Sequence, residues 1–445
     1  MPEIDGVQYA DDTHKKTLTG NVAMRLALLR GSFVAATLAA ALAVSAQSLR
    51  PASPESVGMS AERLERLSDA LEGYVADGRL AGSVTLVARR GRIAYFEAYG
   101  SRDREANAPM QRDAIFRIAS QTKAVVSVAA MTLVEEGKLL LTDPVGKYLP
   151  ELMATKVAVA ADGDRYDVVS ARRPITVRDL LTHTSGFGYG GGVGGDLWTA
   201  VGMTGYYFAD KDETIRESVR RIASLPAHAQ PGTSWIYGYS TDILGALVEA
   251  VANQPLDQVL RERIFTPLGM RDTEFYLSPG KTDRLTAVYS QNAGKLERAP
   301  TPGTAVGQGH YVDGPRKNFS GGAGLLSTAT DYARFLEMLR NGGTLDGRRI
   351  LSRTTVELMT TSHLGDVEFN AGQGFGLGFY VVEDVGARGW PGSVGEFGWG
   401  GAYHTTYWVD PREELVVVHM TQLVPAGDVD DQAKVRALVY QAIVD

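Results

Sequence analysis

Apolar residues recur along this chain with two different spacings, and these spacings predict its helices and strands. Between Ser60 and Ala76 they recur every three or four residues, which predicts an amphipathic helix with Ser60 as its N-cap. The segments 83–91 and 92–100 have strand character and meet at Arg90–Gly91, which predicts a β-hairpin beside that helix.

The segment from Ser120 to Glu136 is apolar around nearly its whole circumference. A helix with no polar face is buried, so we expect this one in the centre of the protein. Gly137 supplies the C-terminal stop of the helix.

Strand character returns near the C-terminus after a long stretch of helix and loop. The strand-like segments are 374–384, 402–410 and 415–422, and a final helix is predicted over 430–444. Strands at both ends of the chain predict one mixed α/β domain, formed by residues 50–144 and 320–445. Residues 145–319 are then a mainly helical insertion domain.

The first 46 residues are interpreted as an N-terminal extension and a signal peptide. Arg25 and Arg30 precede a run of small and apolar residues that closes on Val44-Ser45-Ala46, a small-x-small cleavage site. The preceding residues are too acidic for a leader, so we place the true start at Met24 and expect export to the periplasm or medium. The alternative is a cytoplasmic protein with a polar tail.

Composition removes several function classes. A net charge of −7 gives no basic surplus for nucleic acid. The absence of cysteine excludes thiol catalysis, disulfides and cysteine-ligated metals. The seven histidines lack metal-site spacing, and the G-x-G-x-x-G at 186–191 does not follow a predicted strand. We therefore expect no metal and no cofactor, and no membrane span in the mature chain.

Ser120-Gln121-Thr122-Lys123 is an S-x-x-K element at the start of the buried helix. Residues three apart share a helix face, so the hydroxyl and the amine can meet. The helix N-terminus also directs backbone N–H groups at a developing oxyanion. The structural alternative is an N-cap serine with a solvated lysine, which the apolar surroundings disfavour.

Two further segments carry candidate chemistry. A loop at 231–245 contains Tyr237 and Tyr239, and a glycine-rich segment at 395–402 contains Trp399. On the residues alone, packing anchors explain the tyrosines as well as chemistry does. A second S-x-x-K, at 278–281, contains Pro and Gly and is interpreted as a turn.

Taken together and in order, these segments resemble the class C β-lactamase-like serine hydrolases, and within them the family VIII carboxylesterases. The resemblance spans about residues 50–440. It rests on S-x-x-K and on the segments RPITVRDLLTHTSGF, PGTSWIYGYSTDILGALVE, FTPLGMRDTEF, GGAGLLSTATDYARF, GEFGWGGAYHT and WVDPREELVVVHMTQ. It implies an α+β fold of the β-lactamase/penicillin-binding-protein type, with an antiparallel sheet flanked by helices and a mostly helical domain.

The resemblance also implies roles for single residues. Ser120 matches the acylated nucleophile, Lys123 its activating partner, and Tyr237 the tyrosine of the Y-x-N element, a phenolate or proton shuttle. Trp399-Gly400-Gly401 stands in place of K-T-G, so the N–H groups of Ser120 and Ala402 would form the oxyanion hole.

Two departures from the β-lactamase pattern bear on the substrate. Trp399 replaces a lysine that binds the substrate carboxylate, and Tyr239 replaces the asparagine that binds the acyl amide. Both changes favour small, uncharged esters, with Tyr239, Trp399, Gly400 and Gly401 as substrate-binding residues. The alternatives are a β-lactamase or D-amino-acid peptidase, an acyltransferase, or a non-catalytic penicillin-binding module that binds cell-wall fragments or β-lactams.

Overall fold

The computed structural model describes residues 48–163 and 165–445, and the predicted signal peptide lies outside them. The strands are β1 (Arg50–Pro51), β2 (Gly82–Arg89), β3 (Arg92–Asp103), β4 (Ala108–Pro109), β5 (Phe116–Arg117), β6 (Lys156–Ala160), β7 (Tyr166–Ser170), β8 (Tyr289–Asn292), β9 (Lys295–Arg298), β10 (Leu326–Ser327), β11 (Thr344–Leu345), β12 (Arg348–Arg349), β13 (Gln373–Phe375), β14 (Tyr380–Val382), β15 (Phe397–Gly401), β16 (Thr405–Asp410) and β17 (Leu415–Met420).

The α-helices are α1 (Ala61–Ala76), α2 (Thr122–Glu135), α3 (Val177–Leu181), α4 (Gly195–Ala200), α5 (Ile215–Ala223), α6 (Ser240–Ala252), α7 (Leu256–Leu260), α8 (Thr266–Leu268), α9 (Ala329–Arg340), α10 (Arg353–Met359), α11 (Val385–Arg388) and α12 (Asp431–Tyr440). A π-helical turn, Arg261–Phe265, joins α7 to α8. Within the described residues, no helix is long and apolar enough to cross a membrane.

One nine-stranded sheet joins the two ends of the described chain. Its order is β1-β3-β2-β17-β16-β15-β14-β13, with β4 attached to β3. The pairings are antiparallel except β1 with β3, which is parallel. Strands from the N-terminal part therefore pair with strands from the C-terminal part, at the contact between β2 and β17.

Both faces of this sheet are covered by helices, and the strand residues alternate between the two faces. Leu86 and Val418 belong to the main core, whereas Val87 and Val417 belong to a second cluster with residues of α1 and α12. The predicted β-lactamase-type α+β arrangement, an antiparallel sheet flanked by helices, is therefore confirmed. The segment between β5 and β10 contributes α2–α8 and two separate hairpins, β6–β7 and β8–β9.

Single elements also agree with the pattern. The Ser60 side chain accepts a hydrogen bond from the N–H of Arg63 and caps α1. The apolar segment after Ser120 forms α2, whose residues from Thr122 to Leu133 are all buried. One strand begins later than predicted: Ala402–His404 form a turn, because His404 has φ 67°, and β16 starts at Thr405.

Candidate active site

Ser120 lies in a single 3₁₀ turn, Ala119–Gln121, that leads directly into α2. The preceding Ala119 has φ 40°, an unusual conformation for a residue with a Cβ, and turns the chain sharply from β5 into the helix. Strained backbone of this kind clusters at functional sites. The Ser120 side chain is thereby held at the positive end of the helix dipole, at the floor of an open cavity.

Lys123 is buried and directs its amine at three oxygen atoms. Its Nζ lies 2.8 Å from the carbonyl oxygen of Gly322, 3.0 Å from the hydroxyl of Tyr189 and 3.4 Å from Oγ of Ser120. An ammonium group has three donors and no acceptor, so this arrangement accommodates the protonated lysine. The predicted approach of the Ser120 hydroxyl to the Lys123 amine is present in the structure.

Tyr237 lies beside this pair within a cluster of aromatic rings. The Lys123 Nζ is 4.6 Å from the centre of its ring, and the indole N–H of Trp399 donates a 3.0 Å hydrogen bond to its hydroxyl oxygen. Trp235 stacks on the same ring at 5.5 Å with an interplanar angle of 12°. Tyr237 thus contacts both the lysine amine and the indole donor.

Tyr189 contacts the catalytic candidates directly. Its hydroxyl accepts the hydrogen bond from Lys123, and its ring meets that of Tyr237 edge-on at 5.7 Å. Burial, together with the neighbouring tyrosines and Asp242, raises the pKa of Tyr189 well above its ordinary value. Tyr189 is therefore a neutral acceptor, and Tyr237 remains the candidate base.

The ring of His183 packs against the ring of Tyr237. It is buried, has φ 57°, and its ring centre lies 4.9 Å from that of Tyr237. Burial and the nearby Lys123 charge hold the pKa of His183 well below its usual value, so the imidazole is neutral. This placement agrees with a structural role.

Sequence reasoning missed Asp242, a buried carboxyl group in the first turn of α6. Its Oδ1 accepts hydrogen bonds from Oγ of Ser320 at 2.6 Å and from the N–H of Gly322 at 3.0 Å. Asp242 therefore fixes the residue whose carbonyl receives Lys123. Burial raises the pKa of Asp242, while the charge of Lys123 opposes the rise. The available signal was an acidic residue at the start of an otherwise apolar helix.

The predicted oxyanion groups meet at the same cavity. Ser120 and Ala402 both line it, and the neighbouring Gly401 packs so closely on the backbone that an added Cβ would lie 2.4 Å from the carbonyl oxygen of Ile118. Within the described residues, the backbone N–H of Ala402 donates to no other protein group. It is available to a ligand.

The cavity has a volume of about 690 Å³, and its wall combines aromatic rings with a few polar groups. Its lining residues are Ser120, Tyr189, Tyr206, Tyr237, Asn370, Gln373, Tyr380, Arg388, Trp390, Trp399, Gly400, Gly401, Ala402, His404, Thr405, Thr406, Trp408, Gln432, Ala433 and Arg436. A cavity of this size suits a small organic ligand.

Tyr239 lies outside this cavity, contrary to its predicted place among the substrate-binding residues. It is 1% exposed, its hydroxyl donates to the carbonyl of Gly205 at 2.7 Å, and its ring stacks on the buried Trp198. The reason is local: Gly238 turns the chain between Tyr237 and Tyr239, and α6 begins at Ser240, so the two side chains diverge. Tyr189, which packs edge-on against Tyr239, lines the cavity instead.

The second S-x-x-K forms a turn, as predicted. The Ser278 hydroxyl donates to Glu274, and the Lys281 amine donates to the carbonyl of Arg271 and pairs with Asp272 and Glu274. Serine and lysine are thus both engaged elsewhere. Among the described residues, no group of three or more histidine or acidic side chains is arranged to hold a metal.

Comparison with known proteins agrees with this geometry. The chain matches the Beta-lactamase family over residues 67–441. It is 38% identical over 370 residues to Protein Rv1367c of Mycobacterium tuberculosis, covering 80% of this chain and 90% of that protein. It is 35% identical over 380 residues to Esterase EstB of Burkholderia gladioli, covering 81% and 91% respectively.

Among solved structures, the chain is similar to EstCE1, described as a hydrolase with promiscuous acyltransferase activity. The TM-score is 0.73 at 30% identity, over 85% of this chain and 98% of that chain. The family match covers most of the chain and includes Ser120, Lys123, Tyr237 and Trp399. The protein belongs to the beta-lactamase family, and within it to the serine hydrolases that resemble the family VIII carboxylesterases.

Proposed function

We propose that this protein is a serine carboxylesterase that hydrolyses small, uncharged, short-acyl esters through an acyl-enzyme on Ser120. The observation that carries the proposal is the hydrogen bond from the indole N–H of Trp399 to the hydroxyl oxygen of Tyr237. The indole N–H of Trp399 is donated to Tyr237, so its side chain offers the substrate an apolar ring where β-lactamase-type enzymes offer a cation. A neutral acyl group fits that surface better than a carboxylate does.

In the proposed mechanism Tyr237 is the base. Its hydroxyl oxygen accepts the indole N–H of Trp399, and its ring centre lies 4.6 Å from Nζ of Lys123. Tyr237 takes the proton from the Ser120 hydroxyl as Oγ of Ser120 attacks the ester carbonyl. The N–H groups of Ser120 and Ala402 stabilise the oxyanion. Tyr237 returns the proton to the leaving alcohol, and a water activated in the same way releases the acid.

Acyl transfer is the second candidate function, because the acyl-enzyme accepts an alcohol by the same chemistry. EstCE1 is described as having that activity, and the open cavity here lies beside Ser120. A β-lactamase or peptidase function has less support, since the cavity wall carries Trp399 and since Tyr239 is buried.

The test is steady-state turnover of p-nitrophenyl acetate, butyrate and octanoate, of a chromogenic cephalosporin, and of a D-alanyl dipeptide. We expect rapid turnover of the short esters and slow or no turnover of the other two classes. Adding a primary alcohol and measuring the new ester by chromatography separates transfer from hydrolysis. Faster turnover of the cephalosporin than of every ester would overturn the proposal.

We also propose that the mature protein is exported and begins at Gln47. The support is the charged, apolar and small-x-small pattern that ends at Ala46. N-terminal sequencing of the protein recovered from the periplasm or medium of an expressing bacterium tests this. Recovery of uncleaved protein from the cytoplasm alone would contradict it.

A further inference from the structure

His404 occupies an unusual position in the turn that carries the proposed oxyanion donor. The turn Gly401–Thr405 joins β15 to β16 and presents Ala402, and His404 has φ 67°. Residues with a Cβ rarely adopt this left-handed conformation without compensating contacts. The His404 N–H closes the turn by donating to the carbonyl of Gly401 at 2.9 Å.

The compensating contacts come from α12 and from Thr421, the residue that follows β17. The imidazole Nε2 of His404 lies 2.6 Å from Oδ1 of Asp431, the first residue of α12. The His404 carbonyl accepts hydrogen bonds from Oγ1 of Thr421 at 2.7 Å and from the side chain of Gln432 at 3.2 Å. Both the side chain and the backbone of His404 are therefore held.

Asp431 is in turn anchored in the sheet. It is fully buried, and its second oxygen lies 2.9 Å from Nε2 of His419 on β17. The Nδ1 of His419 is 2.7 Å from Oγ1 of Thr85 on β2, in the middle of the sheet. Burial alone would raise the pKa of Asp431, but the hydrogen bonds from the two imidazoles outweigh burial and hold the pKa well below its usual range.

We propose that His404 and Asp431 are positioning residues that fix the Ala402 N–H in the oxyanion hole. The chain of contacts runs from Thr85 through His419 and Asp431 to His404, two residues from Ala402. This inference rests on the proposed function, because it assigns the strained turn to transition-state stabilisation. It also explains why the buried carboxylate of Asp431 pairs with a histidine of the turn that lines the cavity.

The expected effect is on kcat and not on KM. An oxyanion donor acts mainly in the transition state, and loss of one such donor lowers kcat by about 10²–10³-fold. A donor that is loosened and not lost gives a smaller effect, on the order of tenfold.

The test uses His404→Gly, which removes the imidazole and accommodates the positive φ, and Asp431→Asn, which keeps the shape but pairs only one imidazole. Glu414→Gly is the matched control, since Glu414 also has a positive φ, 51°, at the other end of β16. For each folded variant we measure the thermal midpoint, kcat and KM for p-nitrophenyl butyrate, and Ki for phenylboronic acid. This boronate mimics the tetrahedral intermediate on Ser120.

We expect kcat to fall and the boronate Ki to rise by similar factors in the His404 and Asp431 variants, with KM within about twofold. The control should match the wild type. An unchanged kcat in folded His404→Gly, or a fall in kcat without a change in boronate Ki, overturns the inference while the esterase stands. If the wild type hydrolyses no ester, the proposed function fails, and the boronate Kd, measured by calorimetry in the wild type and the variants, still decides whether His404 shapes the oxyanion hole.

Discussion

At the scale of single residues, the chemistry depends on where the donors of Lys123 and Trp399 are directed. Lys123 donates to Ser120, Tyr189 and Gly322, and Trp399 donates to Tyr237. The lysine charge and the indole N–H thus act on two different members of the site.

Removal of the indole donor should therefore reduce catalysis. In Trp399→Phe an aromatic ring remains in the cavity wall, but the 3.0 Å hydrogen bond to Tyr237 is lost. We expect kcat for p-nitrophenyl butyrate to fall about tenfold, the order expected for the loss of one hydrogen bond. Steady-state kinetics at fixed pH measures this.

Trp235→Phe is the matched control for that substitution. Trp235 stacks on the same tyrosine, and its indole N–H is buried without a hydrogen-bond partner among the described residues. The control should retain kcat within about twofold, because no hydrogen bond is lost. Equal losses in both variants would show that aromatic bulk, and not the donor, is what matters.

The sequence predicted Ser120, Lys123 and Tyr237 as a group but not the contacts that orient them. S-x-x-K is a local pattern, so its geometry follows from helix periodicity. The acceptor Gly322 is 199 residues from Lys123, and Trp399 is 162 residues from Tyr237. Contacts of that range depend on how the elements pack, and single-sequence periodicity does not contain that information.

At the scale of elements, two loops must approach closely to form the site. One carries Tyr189, and the other carries Tyr237. They touch at Gly238, where an added Cβ would lie 2.4 Å from both the Cα of Gly188 and the carbonyl oxygen of Phe187. Only a glycine permits that separation, so the lack of a Cβ at Gly238 allows the two loops that carry the tyrosines to approach each other.

Gly238→Ala should therefore push the loops apart. We expect at least a tenfold loss of esterase activity and a lower thermal midpoint, because overpacking against backbone cannot relax cheaply. Gly191→Ala, in the same glycine-rich loop, is the control, since an added Cβ there meets nothing within 4 Å. Wild-type behaviour of Gly238→Ala would contradict this account of the loop contact.

Glu249 near the end of α6 predicts a pH dependence of stability. Its Oε1 accepts a 2.8 Å hydrogen bond from the N–H of Leu256, and burial raises its pKa to about 7. Between about pH 4.5 and 7 the folded state holds a proton that the unfolded state has released, so stability falls as pH rises. Above pH 7 the group is ionised in both states, so this loss of stability no longer grows.

In Glu249→Gln the cost of ionising this buried group disappears, and an oxygen that can accept the N–H of Leu256 remains. The variant should become more stable than the wild type by about 1–3 kcal/mol as the pH rises from 4.5 to 7. Urea unfolding at several pH values measures the difference. A difference that does not change with pH would contradict the assignment of the shift to Glu249.

At the scale of the whole molecule, three distant segments meet at one end of the sheet. Ser120 comes from the 3₁₀ turn before α2, Tyr237 from the loop before α6, and Ala402 from the turn after β15. The predicted contribution of strands from both chain ends is consistent with the pairing of β2 with β17. The proposed insertion domain stays a prediction, since the main core includes residues from all three segments.

The sequence assigned Tyr239 to the cavity because a spacing of two residues from Tyr237 matched the family pattern. The structure shows that spacing alone does not settle which way a side chain points, since α6 begins one residue later. Fold and nucleophile were predictable from local patterns and their order. The contacts of Tyr189 with Lys123 and of Asp242 with Gly322 were not, because they join segments that are 66 and 80 residues apart.

The central claim is that catalysis proceeds through an acyl group on Ser120. The direct measurement is intact-protein and peptide mass spectrometry of the enzyme quenched in acid during turnover of p-nitrophenyl butyrate, with Ser120→Ala in parallel. The account predicts one added butyryl group on the peptide that contains Ser120, and neither adduct nor turnover in the variant. An adduct on another residue, or undiminished turnover by Ser120→Ala, would contradict it.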